Sequence, residues 1–194
     1  MNKMMRNFLI TFCGTALMLL VGCSANTQDK SYFQLASNLP VQTPKTMKST
    51  NRFLKIDSID VASFLNKSGI VLQTEDIKYV TAINNLWVST LSQQLEERLV
   101  QDLSLLLPDY LISSKSLATP TLTVKLFIDG FHGGYNGDAI IKGRWIVTNN
   151  KNHIETKPFE RHIPLAKNGY DALVKALSKG WQEEEQDFAN SIKY

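Results

Sequence analysis

The side chains most able to do chemistry in this 194-residue chain are three histidines, His132, His153 and His162. Imidazole is the group that best serves as a base or a metal ligand near neutral pH. His153 and Glu155 stand two apart, the spacing that puts two strand side chains on one face, and His162 follows on the same run. That spacing matches no established ligand pattern, and the simpler reading is solvated strand histidines. No serine lies in the G-x-S-x-G setting that lifts a nucleophile on a strand-to-helix turn. "GFHGGYNGD" carries Gly130, Gly133, Gly134 and Gly137. A phosphate cradle would need a strand before it and a helix after it, and an Ile-rich strand follows instead. The glycines read as a bulged hairpin or a close backbone approach. None of these residues supports a catalytic assignment, and neither a metal nor a cofactor is expected.

Cys23 is different. It ends the apolar part of "LMLLVGCSANTQ" and opens a polar stretch. Lys3 and Arg6 precede an apolar run over 8–21. That run is shorter than the about 20 residues a membrane-spanning helix needs, and it has the length of a secretory signal core. Leu20-Val21-Gly22-Cys23 resembles the bacterial lipobox. In lipoproteins of that kind the thiol receives a diacylglycerol, the chain is cut before the cysteine, and the new amino group is acylated. Residues 1–22 are then a signal peptide and Cys23 is a lipid anchor. Cys13 leaves with the signal and Cys23 is consumed, so no disulfide is expected, although the compartment would allow one. Loss of Lys3 and Arg6 lowers the net charge from +3 to +1, which leaves no basic field for nucleic acid. Two acyl chains already hold a protein stably on a membrane. Ser24, rather than Asp, follows the anchor, which in enterobacteria-like sorting favours export to the outer membrane.

Residues 23–51 read as anchor and tether, rich in polar residues, with Pro40 and Pro44 against regular structure. The island "SYFQLAS" at 31–37 interrupts this with Tyr32, Phe33 and Leu35, and is read as a first strand. Residues 52–194 then form one domain, long enough to bury its own core. "RFLKIDSIDVASFL" alternates, without settling which of the pairs Phe53/Lys55 and Leu54/Ile56 is buried. "GIVLQTEDIKYVTA" reads as a hairpin. "TLTVKLFID" puts Leu122, Val124, Leu126 and Ile128 on one face, and "DAIIKGRWIVTNN" does the same for Ala139, Ile141, Trp145 and Val147. Pro158 limits the strand after "NNKN" to an edge or an irregular end. Leu91, Leu95, Leu99, Leu103, Leu106 and Leu107 recur at helical spacing, with Thr90 and Gln93 in capping-box relation and Pro108 as a stop. A second helix is expected from a cap near Asn168, with Tyr170, Leu173, Val174, Leu177 and Trp181 as its stripe and "EEE" at 183–185 as a solvated face. The fold expected is α+β: a single domain with a mixed β-sheet and two main helices packed on one face.

"TEDIKYVTAINNLWVSTLSQQLEERLVQDLSLLLP" resembles the signature region of the PqiC (YmbA) lipoproteins, auxiliary components of ABC-type and MCE-type transport systems. Lys78-Tyr79-Val80, Asn84-Asn85-Leu86-Trp87 and Gln93-Gln94-Leu95 are the specific part. "YFQL", "GYNGDAIIKGRW" and "GYDALVKALSKGW" recur in the same order, so the likeness covers nearly all of the chain after the signal. Thr90 stands where the family often has Pro. The resemblance implies a non-enzymatic lipoprotein in the outer membrane, facing the periplasm. It implies a trans-envelope lipid pathway, in which a PqiB-like inner-membrane protein with stacked MCE domains extends a needle whose tip the lipoprotein meets. It also implies a homo-oligomeric ring. The alternative function is a lipoprotein chaperone or plug for assembly of an outer-membrane β-barrel. Tyr79, Asn84, Asn85 and Trp87 are the aromatic and amide residues expected at a partner or subunit interface, although Trp87 equally suits a core plug at the helix entry and the two Asn suit a turn. Phe127, on the polar face of its strand, is expected to look outward.

Overall fold

The computed structural model describes residues 29–40 and 50–192. The signal peptide, Cys23 and residues 41–49 lie outside the described residues. The order is β1 (Ser31–Phe33), β2 (Phe53–Val61), β3 (Gly69–Glu75), β4 (Lys78–Trp87), α1 (Leu91–Leu106), β5 (Leu111–Ser113), β6 (Leu122–Gly133), β7 (Asp138–Asn149), β8 (Ile154–Pro164) and α2 (Tyr170–Ser191).

The strands make one mixed sheet, and both helices pack on one of its faces. Strand β6 is its spine. One edge of β6 pairs antiparallel with β7 along its whole length. The other edge pairs parallel with β2 as far as Val61 opposite Ile128. Where β2 ends, β3 takes its place, through the single pair Leu72 opposite Gly133. A Cβ on Gly133 would meet Leu72 Cδ2 at 2.6 Å, so the glycine lets that leucine close over the junction without moving. Strand β4 continues outward antiparallel to β3, and β1 closes that side, parallel to the last residues of β4, with Ser31 opposite Asn85 and Phe33 opposite Trp87. On the far side β8 pairs only with β7, an edge position that tolerates Pro158.

Apolar alternation decides which face is buried. Val124, Leu126, Ile128, Ala139, Ile141 and Trp145 point at the helices and are 0–1 % exposed. Leu54 and Ile56 join the main core, and Phe53, also buried, lies outside it; the register of β2 shifts after Ile56. Leu91, Leu95, Leu99 and Leu103 bring the α1 stripe down on this layer, each 0 % exposed. Thr90 caps α1 with the full reciprocal box to Gln93. Helix α2 differs from expectation at its start: Gly169, at φ 114°, is the cap residue rather than Asn168, and no side chain caps it.

The island after the tether yields a strand shorter than 31–37. Past Phe33 the chain leaves the sheet and is strapped across the helices. Leu35 enters the core and its N–H donates to Gln94 Oε1 at 2.8 Å. The N–H of Ala36 donates to Ser178 Oγ at 3.1 Å, and that of Asn38 to Gln182 Oε1 at 2.9 Å.

The largest departure is "EEE". Glu183 is half-buried, but Glu184 and Glu185 are 2 % and 0 % exposed. Helix α2 lies against β7 and β8 on one side and α1 on another, so it buries more than one stripe. Glu184 accepts from Trp145 Nε1 and from Arg161 Nε, both at 2.8 Å. Glu185 turns toward α1, where Asp102 pairs with Arg98.

Candidate interaction surface

Strand β4 runs out beyond the body, and its first residues are exposed on both faces. Tyr79, 43 % exposed, lies against Phe64 (ring centroids 5.2 Å apart) and edge-on to His132 (5.1 Å). His132 is 4 % exposed, whereas His153 and His162 keep the exposure expected of solvated strand histidines. The bulge in β6 between Ile128 and Gly130 resets the alternation, so Phe131 joins the core and His132 turns to the helix-free face. Burial lowers the pKa of His132, partly offset by its contact with the Gly133 carbonyl, to which Nδ1 donates at 3.0 Å in the neutral ring.

Around it lies a polar recess of about 290 Å³, whose walls include Tyr79, Tyr135, Asp138, Lys142, Glu160 and His162. His162 Nδ1 is 2.7 Å from Asp138 Oδ2 and its Nε2 is 3.2 Å from Glu160 Oε1. These two carboxylates, Asp138 first, raise the His162 pKa. Lys142 Nζ closes the set at 2.9 Å from Glu160 Oε2. The charges of His162, Asp138, Glu160 and Lys142 are thus paired with one another. His153 sits at the far end of β8, 3.6 Å from Glu155, so the run from 153 to 162 does not gather its histidines. Among the described residues no three of His, Cys, Asp and Glu are grouped so as to hold a metal ion.

The other expected contact residues separate. Trp87 is 4 % exposed and packs on Phe131 with ring centroids 6.4 Å apart. It is the core plug of the two readings, and this corrects its place among surface contacts. Asn84 and Asn85 are half-buried within β4, not in a turn. Phe127 is on the helix-free face but is half-buried, with the Arg144 guanidinium 4.4 Å above its ring and held by Asp129 at 3.1 Å. Cys23 lies outside the described residues.

Sequence reasoning missed the tip of the β3–β4 hairpin. Ile77 is 93 % exposed, Ile83 82 % and Val80 40 %. The signal was present: from Ile77 to Ile83 apolar residues fall on both parities, so neither face of the strand is polar.

The chain matches the model of the ABC-type transport auxiliary lipoprotein component over residues 33–189. It belongs to that family. The family is one of transport components, not of enzymes. This family member is 35 % identical over 189 residues to the intermembrane transport lipoprotein PqiC of Escherichia coli strain K12, covering 97 % of this chain and 98 % of that one, and equally to PqiC of Shigella flexneri. A crystal structure of an uncharacterized protein, 36 % identical, superposes with a TM-score of 0.75 over 86 % of this chain and all of its own. A Xanthomonas campestris protein, 10 % identical, shares the fold at a TM-score of 0.69 over 82 % of this chain and 92 % of its own. Among the described residues of this member no helix is long and apolar enough to cross a membrane.

Proposed function

We propose that this auxiliary lipoprotein is the outer-membrane end of a trans-envelope lipid pathway, anchored through acylated Cys23, facing the periplasm and docking the tip of an MCE-domain needle as a ring of copies. The observation that carries this reading is the nearly end-to-end likeness to proteins named intermembrane transport lipoprotein PqiC. The lipobox ending at Cys23 supports the anchor, and Ser24 after it supports the outer membrane. The buried or paired state of His132 and His162 supports a part that acts by position rather than by acid–base chemistry. The test is capture from crosslinked envelopes through a tag at the C-terminus. Recovery of an MCE-domain protein is the expected result. Recovery of an outer-membrane β-barrel in its place would replace this reading with an assembly role.

A further inference from the structure

The length of the tether can be compared with the length of the hairpin beside it. Strand β1 runs parallel to β4, with Ser31 opposite Asn85. Followed backward, the chain leaves β1 in the direction of the β3–β4 turn. Cys23 precedes Ser31 by eight residues, and Ile77, in the turn, precedes Asn85 by the same eight. Fully extended, eight residues reach about 28 Å, while eight residues of strand rise about 26 Å. The extended tether therefore reaches about as far as the hairpin, and past it by only about 2 Å. A membrane that holds Cys23 along the line of β1 therefore lies close to the hairpin tip.

The tip has the character of a residue set for a bilayer interface. Ile77 is the most exposed large apolar side chain of the described residues, at 93 %. Beside it stands the β6–β7 turn, where Tyr135, 52 % exposed, donates its hydroxyl to Asp76 Oδ1 at 2.9 Å and so ties the two tips together. Tyrosine is a side chain enriched at the headgroup level of membranes. Of the charges at the tip, Lys78 is paired with Glu75 at 3.2 Å and Asp76 accepts from Tyr135, so the tip carries no excess of positive charge and Ile77 is its protruding apolar group. A shallow apolar cleft of about 270 Å³, between Leu72, Leu165, Tyr170 and Leu173, opens at the same end of the sheet.

We propose that the tied hairpin tips, with Ile77 foremost and Tyr135 beside it, are the surface on which the protein rests against the lipid interface that holds its anchor. This rests on acylation of Cys23. The contact is apolar, so it forms on neutral phosphatidylcholine and survives high salt.

The test uses the full lipidated protein carrying Ile77→Cys, labelled with an environment-sensitive fluorophore and reconstituted into phosphatidylcholine vesicles that contain shallow spin-labelled lipid. A thiol at this site is the single one to label once Cys13 has left and Cys23 is acylated. Leu117→Cys, in the exposed β5–β6 connection at the opposite end of β6, is the control. The expected result is a blue shift, several-fold brightening and quenching at position 77, with no change at 117 and no loss in high salt. A label at 77 that stays in water, while mass spectrometry shows acylated Cys23, overturns the tip contact and leaves the anchor standing. A label at 77 that is shielded without quenching by the lipid probe marks a second copy over the tip, and also overturns it. Absence of acyl mass on Cys23 removes the anchor and the tip contact with it.

Discussion

Glu184 and Glu185 are adjacent in sequence and buried in different chemistry. Glu184 has Arg161 and Trp145 as donors. Neither oxygen of Glu185 has a hydrogen-bond partner. Burial, and then the Asp102 carboxylate beside it, push its pKa well above the ordinary value, against a smaller opposing pull from Arg98. A carboxyl raised on folding is neutral in the native state over a pH range where the unfolded chain has already ionised. Its contribution is complete below the unfolded pKa, near 4.5, and is lost as pH rises toward the folded value. Glu185→Gln keeps the shape and removes the titration. The expected outcome is a variant that matches the wild type in urea midpoint near pH 4 and exceeds it increasingly as pH rises to neutrality. A constant difference across that range would show that Glu185 does not titrate on unfolding.

At the scale of elements, the cap of α1 is the cleanest link from sequence to structure. Thr90 and Gln93 satisfy each other's backbone donors, as their spacing requires. Thr90→Ala should cost about 1 kcal/mol of stability, read as a lowered thermal or urea midpoint with an unchanged circular dichroism spectrum. The leucine stripe and the inward faces of β6 and β7 were legible for the same reason: one buried side per element leaves a clean period. Legibility failed where an element is touched on two sides. Helix α2 carries a readable stripe from Leu173 to Trp181, but α1 covers a second side, and there the charged letters at 184 and 185 stand for buried groups. It failed again at Trp87, whose strand-end position fits a surface or a core equally well until β1 is laid beside it. Of the surface residues, Tyr79 was legible and Ile77 was not, since an exposed isoleucine in a turn is invisible to any rule that sends apolar side chains inward.

For the whole molecule, what matters is how its parts are joined. The β1–β4–β3 group meets the rest of the sheet through one register pair, Leu72 and Gly133, while the body is completed by Leu35 and the strap that follows it. The described core begins at Phe33 and Leu35. Cys23→Ala should therefore abolish incorporation of labelled palmitate and leave the chain unprocessed or soluble, while the body, produced from Asn26 onward without signal or anchor, still folds and melts cooperatively. Persistent labelling in the variant would remove the lipoprotein reading.

The strap has a mechanical consequence. In the proposed role the protein bridges a membrane and a partner, and a pull through an acylated Cys23 would enter the chain at its N-terminal end. Because β1 lies parallel to β4, tension toward the tip slides one strand along the other and loads the ladder between Ser31–Phe33 and Asn85–Trp87 all at once, instead of peeling it bond by bond. The next residues are gripped by Gln94 on one helix and by Ser178 and Gln182 on the other. Force on the anchor is thus shared between the sheet and both helices before any single contact gives way.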